Sequence, residues 1–484
     1  MDTRSREQAV RPGTVPIDDK DRVFSELALP EADCHIDTDR YFSPEFLKRE
    51  IDRLWLRCWH TACRDDDLPE AGSWREHRVG DRSFVLVRGN DGRVRCFRNA
   101  CLHRGNLLCQ GEGRSGSLRC PYHAWTWRLE GTLARVTDRQ FFNEIDDDRY
   151  RLPEVGCQVW GGFVMVNPTP DGTVPFDEFI GPVAGPLARY DLANHVAVGL
   201  NVEIDVASNW KTLQDAFLET YHLPFLHSQL IKFTNEMRTR LAVMGRHSLM
   251  VTPFAEASER GPKVSEQDVY DAYMGQMPVA ARILMNAGTG SPAGTGSPGT
   301  GSPAGNGHGG GGDGGGGDGN ERWTPSAAPD GPSAKVMVAQ VLREATEATG
   351  FDTGRFADDE VADVWQYFVF PNLLLSSHPG HVFCSWVLPH PDDPNRCTLR
   401  IENLRWTRPE QRASVRAPLG KMTGSNLSEK DGRRLGKAVE QDLVNLPRQQ
   451  DGLRMGGLQQ QTLSRHELRL AHFHRTIDEF LADG

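Results

Sequence analysis

The stretch that decides the fold reads Cys101-Leu102-His103-Arg104-Gly105, then, with sixteen residues between His103 and Cys120, Cys120-Pro121-Tyr122-His123-Ala124-Trp125. Each half carries one cysteine and one histidine. Two Cys and two His form a common zinc set, but a zinc finger pairs Cys with Cys and His with His. Here each loop mixes the two. Two such loops facing one another can clamp a diiron-disulfide cluster, with both thiolates on one iron and both imidazoles on the other. Neutral imidazole in place of thiolate lowers the negative charge of the cluster and raises its potential. The spacing inside each pair decides against the zinc reading.

Around this pair, residues 72 to 166 have the texture of a small β domain. Phe84-Val85-Leu86-Val87 and Val94-Arg95-Cys96-Phe97 flank Gly89-Asn90-Asp91-Gly92, a hairpin signal, and Val159-Trp160 with Gly162 to Val166 read as another strand pair. Cys96, Cys109 and Cys157 read as small buried residues. Gly111 to Gly116 superficially resembles a phosphate loop, but reads as a turn between the two Cys-His segments. Upstream, Ser43-Pro44-Glu45 opens a helix, with Ser as N-cap and Pro at its first position, expected to run to about Trp59.

A second constellation lies downstream. Asn209 to Tyr221 reads as a helix. On that helix Asp215, Glu219 and His222 fall on one face at i, i+4 and i+7. Pro224 interrupts it, which lets His222 and His227 converge. Two histidines alone are a weak metal signal; a carboxylate is needed for a facial triad of two His and one acid. In a helix expected from Ser428 to Leu446, Asp442 lies inside the apolar stripe of Leu435, Val439, Leu443 and Leu446. A buried carboxylate is costly unless paired or metal-bound. Glu440 and Gln441 are expected to point elsewhere, and Asp431 to sit in the first turn of that helix.

The chain resembles the α subunits of Rieske non-haem iron ring-hydroxylating oxygenases over most of residues 40 to 480. His103-Arg104-Gly105 and Cys120 to Trp125 are close to that family's cluster motif. Asn209-Trp210-Lys211, Glu219, His222 and His227 match its catalytic motif. Glu440-Gln441-Asp442, leading to Gln450-Asp451-Gly452-Leu453, matches its late acidic segment, with Gln441 interrupting the usual acid pair. The resemblance implies one [2Fe–2S] cluster on Cys101, His103, Cys120 and His123, and one mononuclear Fe(II) on His222, His227 and Asp442. It also implies Glu219 as an acid bridging an iron histidine to the cluster histidine of a neighbouring subunit, with Asp215 as rival, and Asn209 as part of the catalytic motif. The implied fold is α+β: a small all-β Rieske domain plus a helix-grip, lipid-transfer-like catalytic domain with an antiparallel sheet. The boundaries read as 1–42, an N-terminal segment mobile in part; 43–70, helix and lead-in; 71–168, the Rieske domain; and 169–484, the catalytic domain.

The implied activity is that of a terminal oxygenase that hydroxylates an aromatic or other apolar substrate with O₂ and electrons from a separate reductase or a ferredoxin. A homotrimer is implied, with or without a small β subunit. Demethylation uses the same ligands. A Rieske electron carrier with an inactive second domain, and a zinc-stabilised binder of hydrophobic ligands, are the competing classes. Phe217, Leu218, Phe225 and Leu226 supply apolar surroundings for the iron ligands, and Phe368, Phe370, Asn372 and Leu374 a candidate opposite wall, on strands expected at Val364 to Leu375, His381 to Leu388 and Cys397 to Arg405. His472 and His474, at i and i+2 of a last helix opened by a capping box at Ser464, read as surface residues.

Composition narrows the field. The 484 residues carry a net charge of −11, from 55 basic and 66 acidic side chains, which argues against a nucleic-acid partner. No apolar run is long enough to span a membrane. The first twenty residues lack an apolar core, so a cytoplasmic protein with reduced cysteines is expected. Seventeen of the 49 glycines fall between Gly288 and Gly319. The tract from 287 to 333 cannot bury enough apolar surface to offset its ordering entropy, and reads as a disordered insertion whose His308 is no metal ligand.

Overall fold

The structure, a computed structural model, describes residues 12–18, 20–171, 173–276, 331–424 and 427–482. Most of the Gly-rich tract, His308 included, lies outside the described residues, as do residues 1–11.

The α+β expectation holds. A seven-stranded antiparallel sheet is ordered His60–Arg64, Phe163–Asn167, Glu154–Trp160, Val94–Arg98, Arg82–Arg88, Ser73–Val79, Glu112–Arg114. Its first strand comes from the stretch read as lead-in. Its last is an edge strand formed by Glu112–Arg114, where only a turn was expected. The Gly89–Gly92 hairpin is present, with Phe84 to Arg88 opposite Val94 to Arg98. A three-stranded sheet, Leu133–Arg135, Thr126–Trp127 and Leu118–Arg119, carries the second Cys-His segment. This tip has its own small core, in which Cys101 and Cys120 are buried with Phe97, Trp125 and Trp127.

The larger domain is built on a nine-stranded sheet: Val15–Pro16, Arg240–Met244, His247–Thr252, Val364–Val369, Leu373–His378, His381–Pro389, Cys397–Trp406, His195–Val206, Gly420–Thr423. All neighbours are antiparallel except the last pair. The strand expected from Val364 to Leu375 is two strands. Pro371 has no N–H to give to a ladder, and the chain turns at Phe370-Pro371-Asn372. Asn372 does not wall a pocket. Its side chain joins the two domains, accepting from the Thr61 amide at 3.0 Å and donating to the Thr61 and Val387 carbonyls. Phe368, Phe370 and Leu374 are fully buried core. At the same seam Asp67 is buried between Arg400, at 3.1 Å, and Arg416, at 2.7 Å.

Helices differ from the sequence pattern at their ends. The Ser43-capped helix is Pro44–Glu50, continues as a wider turn through Ile51–Trp55, and stops there rather than at Trp59. The helix expected from Ser428 is two helices, Glu429–Leu435 and Lys437–Arg454. Gly436 separates them at φ +89°, a backbone conformation that L-residues avoid. Asp431 closes the capping box of the first. The expected stripe survives the break: Val439, Asp442, Leu443 and Leu446 are all buried. His472 and His474 are buried, not exposed, because the helix Leu468–Ala482 packs on both flanks. None of the ten cysteines is in a disulfide; Cys96 and Cys109 are buried as expected, and Cys157 is half-buried. Among the described residues, no helix is long and apolar enough to cross a membrane.

Candidate functional site

The two Cys-His segments fold as near copies. The Cys101 amide donates to the Asn106 carbonyl and the Gly105 amide to the Cys101 carbonyl, both at 2.8 Å. The Cys120 amide donates to the Trp125 carbonyl and the Ala124 amide to the Cys120 carbonyl, at 2.9 and 3.1 Å. The residue four places after each cysteine is left-handed: Gly105 at φ +80° and Ala124 at φ +57°. Such turns project two side chains from each loop toward the other. The His103 and His123 rings meet at 4.9 Å. Burial raises the Cys101 thiol pKa, and its contact with the Cys120 thiol adds to this, while the His103 and Arg104 amides aimed at the sulfur work the other way.

This donor set fits a [2Fe–2S] cluster. Two thiols adjoin two imidazoles, and the His103 Nδ1 is buried with no hydrogen-bond partner, as a metal ligand is before the metal is added. Trp125 stacks on His103 at 4.8 Å, shielding it on one side. Tyr122, 3.7 Å from the His123 ring, and Phe142, 5.9 Å from the His103 ring, stand exposed at the rim.

The second site grows from the helix Trp210–Phe217. Sequence pattern carried this helix to Tyr221, but it ends earlier for a local reason. The Glu219 carboxylate accepts from the Tyr221 and His222 amides, groups that would otherwise continue the helix. The same carboxylate binds His222 Nδ1. The short helix Leu223–Leu226, with Pro224 in its first turn, then brings His227 back. The rings of His222 and His227 lie 5.0 Å apart.

Asp442 arrives from the helix Lys437–Arg454. Its carboxylate is 3.0 Å from His227 Nε2 and 3.9 Å from His222 Nε2. One ligand atom from each of the three lies within 4.8 Å of the others. This is the donor set of a facial triad, which suits Fe(II) and leaves positions open. Each imidazole has its Nδ1 engaged, His222 by Glu219 and His227 by Gln441 Oε1 at 2.9 Å, so each offers Nε2 to the shared space. Burial disfavours the charged form of His222, but the hydrogen bond and charge of Glu219, with Asp442, outweigh it and raise its pKa.

Gln441 is therefore not turned away, as its neighbourhood in sequence suggested. It holds a ligand. Leu218 is buried core, Phe225 projects into solvent, and Phe217 and Leu226 are half-buried.

The structure does not bring Asn209 or Asp215 to the ligands. Asn209 caps its helix, accepting from the Lys211 amide at 2.9 Å and donating to the Pro394 carbonyl at 2.7 Å. Asp215 lies beyond the reach of the Glu219 face because the helix ends between them. It accepts from the Tyr41 hydroxyl at 2.7 Å and meets His474 Nε2 at 3.0 Å. Arg40 donates to the other ring nitrogen of His474 at 2.8 Å. A guanidinium can only donate, so His474 is neutral and carries its proton toward Asp215. The sequence pattern gives Gln450 no role of its own. It accepts from the Asn209 amide and the Thr212 hydroxyl and donates to the Tyr41 carbonyl, fixing the helix of Asp442 against the helix that precedes His222.

Comparison with known proteins agrees with this geometry. The family model for the Rieske [2Fe-2S] domain matches residues 58–143, and the one for the ring hydroxylating alpha subunit (catalytic domain) matches residues 193–483. The carnitine monooxygenase oxygenase subunit of Escherichia coli (strain K12) is 28% identical over 249 residues, 50% of this chain and 66% of that protein. The chloroplastic choline monooxygenase of Spinacia oleracea is 26% identical over 204 residues, 41% of this chain and 46% of that protein. The glycine betaine monooxygenase oxygenase subunit of Chromohalobacter salexigens is 28% identical over 213 residues, 44% and 47% respectively. The chain thus spans less than two thirds of the length of these relatives. Among solved structures, a quaternary ammonium Rieske monooxygenase with L-carnitine superposes at TM-score 0.59 and 14% identity, over 93% of this chain and 99% of that one. Naphthalene 1,2-dioxygenase from Rhodococcus sp. superposes at 0.59 and 16%, over 96% and 98%. At these identities the structures establish the shared fold.

Proposed function

We infer the activity from the family: this chain belongs to the ring hydroxylating alpha subunits, with a Rieske [2Fe-2S] domain ahead of the catalytic domain, and we propose that it is a terminal oxygenase that monooxygenates a small quaternary ammonium compound. The convergence of His222, His227 and Asp442 on one point carries the oxygenase reading. The names of the three relatives support the substrate class, in place of the aromatic or otherwise apolar substrate that the resemblance alone suggested. An intact triad argues against a bare electron carrier.

When bound, the cluster supplies single electrons and the Fe(II) a place to activate O₂. The chain's own residues prepare both places. Cys101, His103, Cys120 and His123 would hold the cluster, and His222, His227 and Asp442 the iron. Glu219 fixes the His222 ring and keeps its proton on Nδ1. Glu219 is also the residue we assign to the bridge toward a neighbouring subunit's cluster, in a homotrimer fed by a separate reductase. Exposed aromatic side chains beside both histidine pairs, Tyr122 and Phe142 at one and Phe225 at the other, support docking of a second copy there.

The test is an O₂-consumption and product assay with a surrogate reductase and NADH. Carnitine, choline and glycine betaine are compared with indole and naphthalene. Coupled O₂ uptake and a new oxygenated or dealkylated product are expected with a quaternary ammonium compound. Turnover confined to the aromatic compounds would overturn the substrate assignment and leave the oxygenase reading standing.

A further inference from the structure

We propose that Gln441, in contact with Gln229, is a positioning residue that sets the tautomer of His227 and so makes its Nε2 available to a metal. The inference rests on the reading of His222, His227 and Asp442 as an iron site.

Adjacent residues of one helix grip opposite ends of the same imidazole. Gln441 Oε1 lies 2.9 Å from His227 Nδ1, and Asp442 lies 3.0 Å from His227 Nε2. A carboxylate at position 441 could only accept. An amide can present either its oxygen or its nitrogen, and the two choices have opposite consequences. With the oxygen inward, His227 carries its proton on Nδ1 and Nε2 keeps a lone pair. With the nitrogen inward, Gln441 would donate to Nδ1 and the proton would sit on Nε2, where no metal could then bind. In the structure the oxygen faces inward, and it also accepts from Gln229 Nε2 at 2.8 Å. One oxygen thus accepts from two donors. Turning the Gln441 amide alone would set its NH₂ against the Gln229 NH₂, so Gln229 would have to turn with it.

This arrangement differs from the one at His222, whose Nδ1 is engaged by the charged Glu219. The two ligands therefore have unlike supports, one ionic and one neutral. The neutral one leaves Asp442 as the sole carboxylate within reach of His227 in the distances above.

The experiment is an anaerobic calorimetric titration with Co(II), after chelation of the mononuclear metal, of full-length chains that retain their visible cluster absorption. That absorption is the control for folding. Gln441→Leu is expected to weaken Co(II) binding by roughly 10- to 100-fold, the usual loss when an outer hydrogen bond to a ligand is removed. Gln441→Glu, an obligate acceptor, is expected to restore binding to within about threefold of the parent chain. Gln229→Leu is expected to lose affinity in the same direction but by less. Parent-like binding by Gln441→Leu, or binding by Gln441→Glu as weak as that of Gln441→Leu, would overturn the inference. A parent chain that takes up no Co(II) would overturn the iron-site reading as well, so the two failures are distinct.

Discussion

Asp442→Ala is expected to abolish substrate-dependent O₂ consumption while the visible spectrum of the cluster is unchanged. The carboxylate is the only charged member of the triad. Its removal leaves two neutral imidazoles, His222 and His227, still oriented by Glu219 and Gln441. Two neutral ligands hold Fe(II) poorly, and the loss of a direct ligand should exceed the roughly 10- to 100-fold effect of losing an outer hydrogen bond. The cluster lies in a separate core around Trp125 and Trp127, so it should load normally. Asp442 lies within the buried stripe beside Leu443 and Leu446, and alanine there removes a costly buried charge without adding one. Full turnover by the variant would remove Asp442 from the site.

Lys211→Met is expected to destabilise the catalytic domain by about 3–5 kcal/mol, the usual cost of leaving one partner of a buried ion pair uncompensated. Lys211 and Glu50 are fully buried and lie 2.8 Å apart. Trp210 Nε1 donates to the same carboxylate at 3.2 Å. Burial raises the pKa of Glu50 and lowers that of Lys211, and their mutual attraction opposes both shifts. The pair joins the helix Pro44–Glu50 to the helix Trp210–Phe217, which leads into the ligand loop, so iron loading should weaken with stability. Denaturant unfolding measures the loss. Glu50→Leu combined with Lys211→Met should recover much of it, because an apolar pair of similar volume carries no desolvation penalty. A single variant within about 1 kcal/mol of the parent would contradict the account.

What could be read from the sequence depended on how local the determinant was. Each Cys-His segment is short, and its ligands lie within four residues of one another, so the cluster site was legible from the motif. His222 and His227 are separated by one proline-broken turn and were equally legible. Asp442 is more than two hundred residues away in sequence. It was found because a carboxylate in an apolar stripe requires a partner, an argument that survived even though Gly436 splits the expected helix. The role of Gln441 is not legible in the sequence because it depends on where the His227 ring lies, and helical periodicity does not specify that. Asp215 was drawn toward the iron by an i, i+4 relation that holds only while a helix continues. Glu219 ends the helix by capturing backbone amides. His472 and His474 were read as exposed because i and i+2 diverge on a helix. Both are buried, and His474 is covered by the N-terminal segment through Arg40 and Tyr41. Such contacts span more than four hundred residues, and no local pattern announces them.

The central claim is that one chain holds both a Rieske cluster and a mononuclear iron. The most direct measurement is the iron and acid-labile sulfide content of anaerobically purified protein. About three irons and about two sulfides per chain are expected, two of the irons in the cluster and one on the triad. Zinc without sulfide would contradict the cluster. Two irons with two sulfides, unchanged after Fe(II) is added, would contradict the triad.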